Sequence, residues 1–158
     1  MMNPYEILPI GQTEILNGEY CLVLKPEYRK GLPGLDKFGH AIALWWAHQA
    51  GQAERCGNLI LKQPYTVSTE DFGVFATRSP TRPNPIGLSV FSISRIDLDK
   101  GIIFTPYIDT MAETPLLDIK PYFPASDRVA GTRVPDHFRH WPDSVEESAR
   151  FDWSDQFT

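Results

Sequence analysis

Proline sets the first limit on this chain. Fourteen of its 158 residues are proline, at 4, 9, 26, 33, 64, 80, 83, 85, 106, 115, 121, 124, 135 and 142, well above the roughly 5% of an average protein. Each one fixes φ near −65° and removes a backbone donor, so long helices are cut before they can form. An all-helical bundle is therefore excluded. The apolar runs that remain between the prolines are short. Tyr20–Lys25 reads as a strand stopped by Pro26, 58–62 as a second short run stopped by Pro64, and Phe72–Thr77 as a third. Ile86–Ile96 alternates β-branched and aromatic residues with serines, Asp97–Gly101 supplies a turn, and Ile102–Ile108 returns as a hairpin partner. Pro115–Tyr122 is a further strand. Ala41–His48 has no polar face, and its periodicity fits a buried strand and a buried helix equally. Only 143–150 has helical character. Six or seven short strands predict a mainly β, single-domain sandwich or barrel with few helical turns.

Charge divides the chain unevenly. The formal net charge is −5, and 143–158 contains Asp143, Glu146, Glu147, Asp152 and Asp155 against Arg150 alone. Residues 1–142 are thus nearly neutral, and the expected organisation is a β domain over 1–142 followed by an acidic tail over 143–158. Nucleic-acid binders carry a basic face, and composition offers none here. No apolar run approaches the roughly 20 residues that span a bilayer, and the first residues lack a basic segment leading into an apolar one, so neither a membrane span nor a secretory signal is expected. Cys21 and Cys56 are read as two reduced thiols of a cytoplasmic protein.

Several chemistries have no motif. There is no G-x-G-x-x-G after a strand, no G-x-x-x-x-G-K-[ST] and no G-x-S-x-G. Asp136-His137-Phe138-Arg139-His140 places two imidazoles close together without further Cys or His ligands, so no metal site is expected. What stands out is residues 73–88, Gly-Val-Phe-Ala-Thr-Arg-Ser-Pro-Thr-Arg-Pro-Asn-Pro-Ile-Gly-Leu. Pro80, Pro83 and Pro85 stiffen a loop displaying Arg78, Arg82 and Asn84, which suits an anionic or planar polar ligand and equally suits a braced corner with surface arginines.

This string resembles the signature of the TrmO (YaeB or TsaA-like) family. Asp118-Ile119-Lys120-Pro121-Tyr122-Phe123-Pro124, preceded by Thr114-Pro115, resembles its second motif, and Gly34-Leu35-Asp36-Lys37-Phe38 followed by the run to His48-Gln49 a third. The resemblance implies a small β-barrel, usually a homodimer, that binds S-adenosylmethionine and methylates N6 of threonylcarbamoyladenosine in tRNA. It implies cofactor contacts at His48, Gln49, Arg78, Leu88, Glu113, Thr114 and Pro115. Arg82, Asn84 and Asp109 are candidates for the substrate side. No catalytic residue is implied; Asp109 and Asp118 are the carboxylates to test as base, and Asp118 fits equally a brace for Lys120. Trp45 and Trp46 are expected to pack, and Trp141 is a candidate to stack on a base.

The chain also departs from the family. The loop with a P-R-Q-type motif is missing between Ile10 and Tyr20, Ala112-Glu113 replaces the Asp-Gly more often found before Thr-Pro, and no counterpart of the longer members' tRNA-associated C-terminal domain follows. Two alternatives to tRNA methylation therefore stand beside it: methylation of a small-molecule nitrogen nucleophile, or a non-catalytic S-adenosylmethionine-binding module. A tRNA substrate further requires Arg78, Arg82, Arg128, Arg133 and Arg139 to gather on one face.

Overall fold

The computed structural model describes residues 5–50 and 59–158; Cys56 and Asn58 lie outside them. Two compact units are present, Met1–Ala50 with Pro85–Ser126, and Gly51–Asn84 with Asp127–Thr158. Among the described residues no helix is long and apolar enough to cross a membrane.

The first unit is built on β1 (Gly11–Leu16), β2 (Glu19–Leu24), β3 (His40–Trp46), β6 (Ile86–Ser92), β7 (Arg95–Asp97), β8 (Ile102–Thr105) and β9 (Pro115–Pro121), in the spatial order β6-β3-β9-β1-β2-β8-β7. The two outermost strands, β6 and β7, are separated in sequence only by Ile93 and Ser94. The Ile93 amide donates to Gly39 O on the β3 side (2.8 Å), while the Ser94 amide donates to Phe104 O on the β8 side (2.8 Å). The strand expected over Ile86–Ile96 is thus one bent segment whose two halves pair at opposite ends of the sheet, β6 with β3 and β7 with β8, which curls the sheet into a barrel-like form. Arg95 secures the short second half: its guanidinium forks onto Glu19 with two 2.7 Å bonds and lies 3.6 Å over the Phe104 ring. That hydrogen bonding holds the Glu19 carboxyl below its ordinary range.

Strand β1 was not anticipated, although its signal is in the sequence. Asn17-Gly18 joins Leu16 to Glu19 as a two-residue hairpin loop, with φ of 53° and 85°. Asn-Gly suits that turn because both residues must be left-handed. Conversely, Phe72–Thr77 is strand only at β5 (Phe72–Gly73); Val74–Ala76 turns into a 3-10 helix as the chain enters the proline loop. Of Ala41–His48, the residues to Trp46 resolve as strand, since β3 finds pairing partners along both edges.

Inside the barrel Leu22, Leu24, Ala41, Ala43, Phe91, Ile103 and Leu116 pack together, roofed by Leu32 and Ile108. Ala41 on β3 faces Phe91 across the ladder, small opposite large where a narrow interior allows no more, and Ala43 faces Ser89.

In the second unit, β4 (Ile60–Leu61) pairs with β5, and its apolar content is aromatic. Tyr65 sits edge-on to Phe72, Phe138 and Trp141 at 5.2, 4.8 and 5.7 Å. The chain's last residues belong here: Tyr65 bridges to Phe157, and the Thr66 amide donates to Gln156 O. Of the expected helix over 143–150, α2 covers Val145–Ser148, capped by Ser144 Oγ accepting from the Glu147 amide at 3.2 Å. A further turn, α1, spans Pro124–Asp127. The division into units follows packing, whereas the division at residue 142 followed charge.

Leu22 is fully buried within the barrel. Leu22→Ala is expected to lower stability by about 2–5 kcal/mol, read by urea denaturation.

Candidate functional site

Register brings part of the predicted set together. Strand β3 runs antiparallel to both neighbours, with Trp46 opposite Ile86, Leu44 opposite Leu88 and Trp45 opposite Leu116. The end of β3 therefore lies beside the starts of β6 and β9. His48 and Gln49 follow β3, Leu88 belongs to the first half of β6, and Glu113–Pro115 lead into β9. All six residues gather around one end of three adjacent strands. His48, Gln49, Leu88 and Glu113 are exposed, Pro115 is half-buried and Thr114 is buried.

Backbone bonds hold this end in shape. The Ala47 amide donates to Pro85 O (2.8 Å) and the His48 amide to Trp46 O (2.8 Å), turning the chain immediately after the strand. Between Leu44 and Trp45 the pairing with β9 shifts, so that Leu117 has no partner on β3. This bulge changes which face Pro115 and Leu116 present relative to Asp118–Pro121, a common device beside functional sites.

Two residues not singled out from sequence support the arrangement. Thr13, almost fully buried, donates its hydroxyl to Met111 O at 2.7 Å; its own amide donates to Thr114 O, and its carbonyl accepts from the Glu113 amide at 2.7 Å. Thr13 thereby clamps 111–114 against β1. Ser89 accepts a 3.0 Å hydrogen bond from Trp45 Nε1, fixing an indole that lies across Gly87. A β-carbon on Gly87 would come within 2.2 Å of that ring, so glycine is required there. The alternation of serine in Ile86–Ile96 was the available signal for Ser89; nothing in the sequence marked Thr13.

Glu113 has φ 64°, the left-handed region that costs an L-residue roughly 1–2 kcal/mol. It stands where the resembled family more often carries glycine. The clamp by Thr13 is what holds it there.

The carboxylates separate. Asp109 is exposed and accepts from the Tyr107 hydroxyl at 3.4 Å; burial and then the Asp109 charge push the Tyr107 phenol above its ordinary range. Asp118 accepts from the Ile119 amide at 2.9 Å and binds Lys120 at 2.7 Å, and this hydrogen bond and then the Asp118 charge raise the Lys120 ammonium. Asp118 also lines a cleft of about 480 Å³ with Tyr28, Phe38 and Pro121, toward the start of β3 and so at the opposite end of the strand from His48.

The remaining predicted residues belong to the second unit. Thr77 Oγ donates to Val74 O (2.9 Å), the Ser79 amide to Thr77 Oγ (3.3 Å), and the Thr81 amide to Ser79 Oγ (3.2 Å). These local turns brace the proline loop. Arg82 donates to Thr77 O at 3.2 Å, so part of its guanidinium serves the loop itself. Arg78 and Asn84 are exposed. Arg128, Arg133 and Arg139 fall in the same unit, Arg139 paired with Asp136 at 2.7 Å. Among the described residues no group of three or more His, Cys, Asp or Glu could hold a metal.

Comparison with known proteins decides the family. Residues 6–128 match the family described as the tRNA-methyltransferase O N-terminal domain. The chain belongs to that family. A probable S-adenosyl-L-methionine-binding protein of Pyrococcus abyssi is 35% identical over 127 residues, 80% of this chain and 65% of its own. A similarly named protein of Methanocaldococcus jannaschii is 38% identical over 73% of this chain and 90% of its own. The human tRNA (adenine(37)-N6)-methyltransferase is 34% identical over 78% of this chain, but only 28% of its own length is spanned. A crystal structure of TrmO superposes with a TM-score of 0.66 at 29% identity, covering 84% of this chain and 64% of that one. One of TrmO from Pseudomonas aeruginosa gives 0.63 at 30% identity, over 83% and 62%. The chain thus spans just under two thirds of the Pyrococcus relative and of these TrmO chains.

Glu113→Gly is expected to relieve the left-handed strain and raise stability by about 1 kcal/mol. Thermal or urea denaturation would show it, and an unchanged or lowered midpoint would contradict the strain.

Proposed function

We propose that this chain binds S-adenosylmethionine at the end of β3 and transfers its methyl group to N6 of a threonylcarbamoyladenosine in tRNA, acting as a pair of copies. The observation carrying the reading is the register that collects His48, Gln49, Leu88 and Glu113–Pro115 around one barrel end, within a chain of the tRNA-methyltransferase O family. The names of the archaeal relatives support the cofactor, and that of the human relative supports the acceptor.

The donor set suits this ligand chemically. An exposed imidazole, amide and carboxylate beside an apolar leucine offer acceptors and donors for ribose hydroxyls and an ammonium, with a wall for adenine. S-adenosylmethionine supplies a methyl already activated by its sulfonium, leaving as a neutral thioether when a nitrogen lone pair displaces it. What the protein has to add is alignment and exclusion of water. In this reading His48 and Gln49 hold the ribose or amino group, Leu88 packs on the cofactor, and Glu113 receives the ammonium in place of the family's lost aspartate. Arg78, which the family resemblance assigns to the cofactor, offers a charge-assisted bond suited to the methionine carboxylate. Arg82, Asn84 and Asp109 are assigned to the acceptor. Asp118, committed to Lys120, is left out, and the N6 proton passes to solvent after transfer.

Calorimetric titration with S-adenosylmethionine and S-adenosylhomocysteine tests this. Arg78→Ala is expected to weaken both about tenfold or more, matching roughly 1.5–3 kcal/mol for a charged hydrogen bond, and His48→Ala by less. Binding should be followed by methyl transfer to threonylcarbamoyladenosine-containing tRNA. Absence of binding would remove the cofactor reading; binding without transfer would remove the acceptor.

A further inference from the structure

Residues 129–158 lie beyond the family match, and within them the second unit has an open cleft of about 390 Å³ lined by His140, Trp141, Pro142, Glu147, Arg150 and Phe151. The cleft is shallow and largely open to solvent, so it would hold a flat ligand by one face and its edges.

The walls of the cleft are fixed. Trp153 backs both Trp141 and Phe151, with ring centroids 5.2 and 4.7 Å away, and is itself anchored by Nε1 donating to Ser148 O at 3.1 Å. Gln156 Oε1 accepts from Trp141 Nε1 at 2.9 Å and lies 3.0 Å from His140 Nε2. An indole N–H can only donate, so the atom facing it is the amide oxygen. His140 Nε2 must then carry a proton to share that oxygen. One amide thus holds two rings of the cleft in place.

Two charged groups stand beside these rings. Glu147 on α2 and Arg150 just after it are exposed, and among the described residues neither enters an ion pair. A carboxylate offers two acceptor oxygens, and a guanidinium offers a planar fork of donors. The complementary ligand is a flat ring with adjacent donors on one edge and adjacent acceptors on another. Guanine has this pattern: N1–H and the 2-amino group face a carboxylate, while O6 and N7 face a guanidinium. Adenine sets a ring acceptor beside its single amino group and leaves one partner half-used. Asp143, Glu146 and Asp152, each exposed and next in sequence to a lining residue, give the cleft no phosphate-binding charge, so the base is the group recognised. Aromatic faces supply stacking that any base accepts; the charged pair supplies the choice.

We propose that this cleft binds a guanine base, presented by free guanosine or unpaired in RNA. The inference goes beyond the methyl-transfer reading and uses none of its residues.

The test titrates the full chain with guanosine, adenosine, cytidine and uridine, followed by calorimetry and tryptophan emission. A second arm uses a single-stranded RNA oligonucleotide with one guanosine, against the same oligonucleotide carrying adenosine there. Guanosine is expected to bind about tenfold or more tighter than the other nucleosides. Glu147→Gln is expected to erase the preference for guanosine over adenosine, and Arg150→Gln to weaken guanosine about tenfold. Both substitutions alter exposed, unpaired side chains, so circular dichroism should be unchanged. Preference carried into the oligonucleotide assigns RNA as the source, and preference confined to the nucleoside assigns the free form; either supports the site. Equal binding of all four nucleosides, no binding, or a guanosine preference untouched by both substitutions overturns it. S-adenosylmethionine titrated into the same samples reads the methyl-donor site, which shares no residue with this cleft, so failure of one proposal is distinguishable from failure of the other.

Discussion

The two-sided hydrogen-bonding of β3 is the constraint on which the first unit depends. His40–Trp46 is laddered to β6 along its whole length and to β9 from Ala41 to Trp45. Pairing on both edges fixes register, and a slip of one residue would exchange inward and outward faces. Ala41 and Ala43 would leave the interior, and Trp45 would lose both the space over Gly87 and its bond to Ser89. The same register brings His48, Leu88 and Glu113–Pro115 to one end. Core and candidate site thus rest on a single alignment, with the Leu117 bulge as its one irregularity.

Much of this was legible, because prolines and β-branched runs mark strands directly. The ambiguity over 41–48 was physical: a run with no polar face is buried under either conformation, and only pairing partners decide it. β1 was missed because Gly11–Leu16 mixes Gln, Thr and Glu with few apolar residues, although Asn17-Gly18 announces a hairpin. Phe72–Thr77 was read too long since valine, phenylalanine and threonine favour strands whatever their surroundings. The site was legible by resemblance more than by pattern. Thr13 acts through backbone carbonyls of residues about 100 positions away, and no local spacing can show that.

The second unit was the least legible part, for a different reason. It joins 51–84 to 127–158, and its apolar residues carry no useful periodicity because they converge from short turns. Edge-to-face aromatic pairs contribute about 0.5–1.5 kcal/mol each beyond their buried area. A set of them around Tyr65 and Trp141 can order a segment that has little regular structure. The acidic charge that suggested a separate tail is compatible with this packing, since Asp143, Glu146, Glu147, Asp152 and Asp155 are all exposed while Trp141, Phe151 and Trp153 are half-buried.

The proposed cofactor site is the end of the barrel where β3 finishes, not the apolar cleft by Tyr28 and Phe38 where it starts. Amide hydrogen exchange with and without S-adenosylhomocysteine separates the two. Slowed exchange at 47–49, 86–88 and 111–116, with 28–38 and 118–121 unchanged, is the expected result. Protection confined to 28–38 and 118–121 would place the ligand at the wrong end and contradict the account.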